Sequence, residues 1–177
     1  MKAEYDTMHS FTTSPAGCTL RRAQSQDLDA IARLEAACFP PAEAAGRDTF
    51  AARLASYGRH FFLLEKEGEI LSFVNGPVTR ESDLLDAMYD DTSFSCEQGE
   101  WQMIFGVVTH PDHQRKGLAS YVLHRFIEAA RQEGRKGVVL TCKAHKIHFY
   151  ERFGFNDEGF SGSMHGGVPW HQMRLTF

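Results

Sequence analysis

The segment from Val107 to Ala119, VVTHPDHQRKGLA, joins an apolar run typical of a β-strand to the start of an amphipathic helix. Its second half, Gln114 to Ala119, has the pattern Q-x-x-G-x-A. Free backbone N–H groups and the positive dipole end at such a helix start favour a phosphate or diphosphate. Gly117 permits close approach to the backbone, and Arg115 and Lys116 add positive charge. The segment therefore predicts an anion-binding loop, although similar loops also occur in α/β proteins that bind no phosphate.

Length and composition indicate a single globular domain. The chain has 177 residues, of which 42 % are hydrophobic, and a formal net charge of −4. This charge gives no indication of nucleic-acid binding, and the sequence contains neither a secretory signal nor an apolar run that could cross a bilayer. We therefore expect a cytoplasmic protein with free cysteines and with no nucleic-acid or membrane partner. The histidines form no recognised metal framework, so no metal site is expected.

Hydrophobic periodicity predicts a flexible tail at residues 1–17 and one domain at residues 18–177. Helices are predicted at 28–38, 50–57, 118–134 and 147–153, with a further short helix at 84–89. Strands are predicted at 19–23, 60–65, 69–75, 101–108, 138–142 and 170–177.

This order of elements predicts an α/β fold with an antiparallel N-terminal half. The unit from Trp101 to Cys142 has the pattern of a right-handed parallel crossover, and Trp101–Val108 is expected to be one central strand buried on both faces. Ligands of such sheets bind at the carboxyl ends of strands, where neighbouring strands diverge. The loop after Val108 and the segment after Cys142 would both lie there.

Two motifs resemble those of the GNAT superfamily of acyl-CoA-dependent N-acyltransferases. Val107–Ala119 is similar to its pyrophosphate motif, Q/R-x-x-G-x-G/A, and Phe149–Phe155, FYERFGF, is similar to its F-Y-x-x-x-G-F segment. Leu20–Ala23 and Asp27–Leu28 resemble its opening strand and helix. The resemblance implies a mixed, mostly antiparallel sheet whose central parallel strands are splayed around the cofactor and flanked by helices. Within the superfamily, VLTC at 139–142, HFYERFGF at 148–155 and a closing strand with Met173 most resemble the arylalkylamine (serotonin-type) N-acetyltransferases and their bacterial relatives.

The resemblance implies acetyl-CoA as the cosubstrate. Its pantetheine arm would run along one strand, its diphosphate would bind the loop amides, and its thioester would reach the gap beside Val138–Cys142. The implied cofactor-binding residues are Val107, Val108, Thr109, Gln114, Arg115, Lys116, Gly117, Leu118, Ala119 and Ser120.

The implied reaction is direct transfer of an acetyl group to a primary amine in a ternary complex. Tyr150 is the candidate general acid for the departing thiolate, since a phenol can donate to a forming thiolate; the alternative is a core tyrosine. The Val107 N–H is the oxyanion donor implied by the resemblance. The base stays open among Glu100, His148, His171 and a water chain to bulk solvent.

The acceptor pocket is expected between the loop after the first helix and the closing strand. Its aromatic and proline walls suit a small aromatic or aliphatic amine, although Phe39 and Trp170 could also complete the core. The animal arylalkylamine N-acetyltransferases have an H-x-H pair in the central strand, which is thought to relay the amine proton. This chain has Met103 and Phe105 at the corresponding positions, and neither side chain can accept a proton. The expected pocket residues are Phe39, Pro40, Pro41, Met103, Phe105 and Trp170.

Two alternatives to a small-amine enzyme stay open. The acceptor could be a protein N-terminus or a lysine, or the domain could be an acyl-CoA sensor without turnover. Acidic side chains could attract a cationic amine or simply form a solvated face; these are Glu43, Asp83 and Asp86. A monomer or a homodimer is expected.

Overall fold

The computed structural model describes residues 12–177, in which four α-helices and nine strands are found. The helices are α1 (Leu28–Cys38), α2 (Arg47–Tyr57), α3 (Leu118–Gln132) and α4 (Ile147–Glu151). The strands are β1 (Thr19–Arg22), β2 (Phe61–Lys66), β3 (Glu69–Asn75), β4 (Val78–Thr79), β5 (Trp101–Ile104), β6 (Gly106–Thr109), β7 (Gly137–Cys142), β8 (Asn156–Phe160) and β9 (His171–Thr176).

The first sheet has the strand order β1-β2-β3-β6, with antiparallel pairing throughout. The β2–β3 hairpin turns at Glu67 and Gly68, whose φ angles of 53° and 82° are both left-handed. Positive φ at both central residues is typical of a type I′ turn, whose twist matches that of the flanking strands. The predicted antiparallel N-terminal half is therefore confirmed.

The second sheet has the order β4-β5-β7-β9-β8, in which β5 and β7 are parallel and the other pairs are antiparallel. Helix α3 connects the first sheet to β7, so the predicted parallel unit with its intervening helix is confirmed. Parallel strands require such a long crossover because a tight turn reverses the direction of the chain.

The prediction of one continuous central strand over Trp101–Val108 is wrong. The chain leaves the second sheet after Ile104 and enters the first sheet at Gly106, with Phe105 between them. The Phe105 N–H donates to the Asn75 carbonyl, and Gly106 pairs with Asn75 in the register of β3 and β6. As a result β6 pairs with β3 alone, and its other edge faces the divergence between the two sheets.

Other elements also differ from the sequence prediction. Strand β8 was not predicted because its residues, NDEGF, show no apolar alternation and stay mostly exposed at a sheet edge. The segment predicted as a helix at Leu84–Tyr89 forms a 3₁₀ turn at Asp86–Tyr89. Helix α4 ends at Glu151 rather than Phe153. Most of the predicted tail, residues 1–11, lies outside the described residues, so the domain boundary at residue 18 stays a prediction.

The largest core cluster fixes α3 against both sheets. The apolar face of α3 packs onto the sheet, and the rings of Phe62 and Phe126 meet edge to face with centroids 5.1 Å apart. A second cluster packs α1 and α2 on the other side of the first sheet, around Phe50 and Phe73. Because α3 is anchored along its length, the direction of its N-terminal N–H groups is also fixed.

Candidate functional site

A cavity of about 740 Å³ opens where the two sheets diverge. Its walls come from the free edge of β6, the N-terminus of α3, the end of β7 and helix α4. The connection between α1 and α2 and the segment before β9 close its other end. The cavity therefore lies at the carboxyl ends of the central strands, where the sequence predicted a ligand site.

The loop before α3 presents unpaired amides to this cavity. Arg115 and Gly117 have left-handed φ angles of 59° and 80°, which turn the chain into the helix. The first helical bond at this end runs from the Tyr121 N–H to the Gly117 carbonyl, over 3.0 Å. Within residues 12–177, the backbone N–H groups of residues 115–120 donate no hydrogen bond to a backbone carbonyl. These donors and the helix dipole form a suitable site for a diphosphate.

The free edge of β6 supplies a second set of backbone groups. In an antiparallel ladder, alternate residues direct both backbone groups to the partner strand. His110 donates to the Leu71 carbonyl in the β3–β6 register, so Val108 faces β3 while Val107 and Thr109 face the divergence. Val107 and Thr109 line the cavity. Val108 does not: its side chain is 1 % exposed in the second core cluster, which corrects its prediction as a cofactor-binding residue.

Tyr150 lies on α4 and lines the same cavity. Its ring is half-buried and packs edge to face on Phe149 and Phe155, with centroids 5.0 and 5.9 Å away. Burial of the phenol raises its pKa, and the nearby Cys142 and Tyr89 raise it further. The hydroxyl therefore stays protonated at neutral pH and can act as a proton donor.

A buried carboxyl group on α1 was missed in the sequence prediction. Glu35 is 6 % exposed and lines the cavity; its Oε1 accepts the Ala45 N–H over 3.3 Å, and its Oε2 has no hydrogen-bond partner. Burial raises its pKa to about 7, against smaller opposing effects of the Ala45 N–H and Arg53. The sequence does contain an indication of this buried carboxyl group. Glu35 follows Leu34 and lies one turn after Ile31, which places an acidic residue on the apolar face of a predicted helix.

The other end of the cavity is aromatic. Of the expected pocket residues, Phe39, Pro40, Phe105 and Trp170 line it. Two residues that the sequence did not suggest complete this wall: Tyr89 and His165 stack with ring centroids 4.6 Å apart.

Two segments close the cavity at its aromatic end. The His165 Nε2 donates to the Glu43 carbonyl over 3.0 Å, and the Trp170 Nε1 donates to the His165 carbonyl over 2.8 Å. A Cβ added at Gly166 would lie 2.5 Å from the Glu43 Cγ, which shows how closely the segments approach. The Glu43 carboxylate also lines the cavity but is paired with Lys143 at 2.7 Å.

Three more residues predicted for the site lie outside the cavity wall. Glu100 is exposed at the start of β5 and forms an ion pair with Lys136 at 2.7 Å. Met103 is fully buried beside Val139 in a third core cluster, because its position on β5 points away from the divergence. The Lys116 Nζ donates to the Asp112 carbonyl over 3.0 Å, so its ammonium is directed along the loop.

The remaining candidates for base and acidic wall also pair elsewhere. The exposed imidazole of His148 lies near Glu151, and His171 contacts Asp157 at 3.0 Å. Asp83 pairs with Arg174, and Asp86 accepts hydrogen bonds from Ser163 and Met164. None of these four candidates lines the cavity, and neither does Pro41, which was expected in the acceptor pocket.

Residues 12–177 contain no cluster of three or more His, Cys, Asp or Glu side chains that could hold a metal ion. Over the same range, no helix has the length and apolar character needed to cross a membrane.

The fold and site define an α/β domain with an anion-binding helix start beside an open strand edge. The sequence profile of the acetyltransferase (GNAT) family matches residues 28–155. The chain therefore belongs to the acetyltransferase (GNAT) family, and the fold predicted from the two motifs is confirmed.

Comparisons with single proteins agree with this family. The chain is 36 % identical over 52 residues to "Uncharacterized N-acetyltransferase ycf52" of Pyropia yezoensis; the match covers 29 % of this chain and 30 % of that relative. The loading GNATL domain of CurA from Lyngbya majuscula superposes with a TM-score of 0.78 at 17 % identity, covering 90 % and 97 % of the two chains. The structure titled yncA, a putative acetyltransferase from Salmonella typhimurium with its cofactor acetyl-CoA, has a TM-score of 0.64 at 19 % identity, covering 90 % and 94 %.

Proposed function

We propose that this protein transfers an acetyl group from acetyl-CoA to a primary amine. The observation that carries the proposal is the juxtaposition in one cavity of unpaired amides at residues 115–120, the open edge of β6 and the Tyr150 phenol. The structure of yncA from Salmonella typhimurium, which has the same fold, was determined with its cofactor acetyl-CoA, and this supports the choice of cosubstrate. The match to curated relatives covers only part of their length, so family and geometry together support the activity.

The residues of the chain have separate tasks in the proposed reaction. The amides of Leu118, Ala119 and Ser120 bind the diphosphate, and the Val107 carbonyl and the Thr109 N–H bind the amide-bearing pantetheine arm. Bound acetyl-CoA supplies an activated thioester. The Val107 N–H donates to the thioester carbonyl oxygen as negative charge develops on it. The Tyr150 phenol gives its proton to the departing thiolate sulfur.

The closed aromatic end supports a small acceptor. The His165–Glu43 bond ties the α1–α2 connection to the segment before β9, and an acceptor chain of peptide width would require this contact to open. Aromatic walls from Phe39, Phe105 and Trp170 favour an arylalkylamine-like amine. A protein N-terminus or lysine is the second candidate acceptor. A monomer or homodimer in the cytoplasm stays a prediction from the sequence.

The test is release of CoA thiol from acetyl-CoA with phenylethylamine, tryptamine, polyamines and short peptides, with products identified by mass spectrometry. We expect N-acetylated arylalkylamines and little turnover of peptides. Turnover restricted to peptides would contradict the small-amine assignment. Tight CoA binding without thiol release from any acceptor would instead favour the acyl-CoA sensor.

A further inference from the structure

We propose that Glu35 is the general base that accepts a proton from the acceptor's ammonium group. The inference rests on the proposed function, since it assigns a residue to a step that the proposed reaction requires. An ammonium nitrogen has no free lone pair, so it must lose a proton before it can attack a thioester.

The position of the free Glu35 oxygen supports this role. A Cβ placed on Gly106 would lie 4.0 Å from the Glu35 Oε2 and 3.4 Å from the Asn75 Nδ2. Gly106 immediately precedes Val107, whose N–H is the proposed donor to the thioester oxygen. The unpartnered carboxylate oxygen is therefore close to the place where the reacting carbon would lie.

Unsatisfied polar atoms around Gly106 give a second, independent indication. Asn75 is 1 % exposed, yet its Oδ1 and Nδ2 both lack a hydrogen-bond partner, as does the Glu35 Oε2. Buried polar atoms are almost always hydrogen-bonded in native proteins, because leaving them unpaired is costly. Of these two side chains, Glu35 lines the cavity, so the ammonium group of a bound molecule would supply the missing partner of its Oε2.

The surroundings of Glu35 also suit proton transfer near neutral pH. Arg53 faces it from α2 and lowers its pKa, while Cys38 lies on the same helix as a neutral thiol whose own pKa is raised. Burial outweighs these effects and brings the Glu35 pKa to about 7, so the carboxylate and the acid are both populated at neutral pH. The other buried carboxylate in the cavity, Glu43, is held by Lys143.

The proton balance of the step is simple. The ammonium nitrogen loses two protons in becoming an amide nitrogen. Glu35 takes the first and passes it to bulk solvent, which frees the lone pair that forms the C–N bond. As the C–S bond breaks, the sulfur takes a proton from Tyr150, and the second proton from nitrogen restores the phenol.

The test is the Glu35→Gln variant, since a glutamine Oε1 can still accept the Ala45 N–H but the side chain cannot take up a proton. We expect kcat/KM to fall by about 10²–10⁴, with the Kd for CoA within about twofold of wild type. In wild type, kcat/KM should rise through an apparent pKa near 7, and this acidic limb should be absent from the variant.

The control variant is Glu100→Gln, which removes the carboxylate that the sequence suggested as a base. The kcat/KM of this variant should still rise through an apparent pKa near 7, as in wild type. The inference would be overturned if Glu35→Gln had the kcat/KM of wild type, or if the acidic limb of its pH profile were unchanged. If the variant fails to fold, the wild-type profile decides, and a flat profile from about pH 5.5 to 9 would overturn the inference. The proposed function fails differently: wild type would bind CoA but acetylate no amine.

Discussion

Gly117→Glu should abolish most of the affinity for CoA. The substitution places a carboxylate next to the unpaired amides of Leu118, Ala119 and Ser120, where the diphosphate is proposed to bind. Two unit charges about 4 Å apart repel by about 4 kcal/mol at the effective dielectric constant typical of a protein surface. Because about 1.4 kcal/mol corresponds to a tenfold change in Kd, repulsion alone should weaken binding by about 10³-fold.

Gly68→Glu is a matched control for this substitution. Gly68 has a φ of 82° against 80° for Gly117, and a Cβ would meet no heavy atom within 4 Å at either position. Both glycines are exposed, so the two variants share the cost of a left-handed non-glycine residue, about 1–2 kcal/mol. Gly68 lies in the β2–β3 hairpin, outside the cavity wall.

Isothermal titration with CoA compares the three proteins, and thermal unfolding checks that each is folded. We expect similar decreases in Tm for both variants and a loss of CoA affinity in Gly117→Glu alone. A Gly117→Glu protein that binds CoA within about threefold of wild type would refute the assignment of the loop as the diphosphate site.

Three further predictions concern catalysis and stability. Tyr150→Phe should lower kcat by about 10- to 100-fold in the thiol-release assay without changing the Kd for CoA, and an unchanged kcat would remove the acid role. Phe126→Ala should lower the free energy of unfolding, measured by urea titration, by about 3–5 kcal/mol, because the Phe126 ring is only 2 % exposed and packs on Phe62. A loss below about 1 kcal/mol would contradict this packing. The Arg21 guanidinium lowers the pKa of Asp27, so this carboxylate stabilises the fold above its ordinary pKa and loses that contribution as the pH falls through the lowered value. Asp27→Asn should therefore lose less stability than wild type between pH 7 and about pH 3, and equal losses by urea titration would contradict the coupling.

The architecture was largely predictable from local signals. The apolar face of α3 and the β2–β3 turn at Glu67–Gly68 are encoded within short stretches of sequence. The division of the central strand at Phe105 was not predictable, because it depends on a segment that is distant in sequence. This segment is the β3–β4 connection at Gly76, where a Cβ would lie 2.0 Å from the Met103 carbonyl oxygen. Such a close backbone approach leaves no periodic signal in the strand itself.

The two ends of the site differ in the same way. The proposed cofactor end lies within one continuous motif, so most of the residues named for it from the sequence line the cavity, with Val108 and Lys116 as the exceptions. The acceptor end is assembled from α1, the α1–α2 connection, the 3₁₀ turn at Asp86–Tyr89 and the segment before β9. These elements bring Glu35, Tyr89 and His165 together only in the folded chain. Glu100, a base candidate from the sequence, lies at the start of β5 outside the cavity wall, whereas Glu35 on α1 lines the cavity.

The most direct test of the central claim is a crystal structure of the protein with acetyl-CoA. We predict diphosphate oxygens within about 3.2 Å of the backbone nitrogens of Leu118, Ala119 or Ser120, and the pantetheine arm along β6. A ligand whose diphosphate binds elsewhere, with these amides still unpaired, would contradict it.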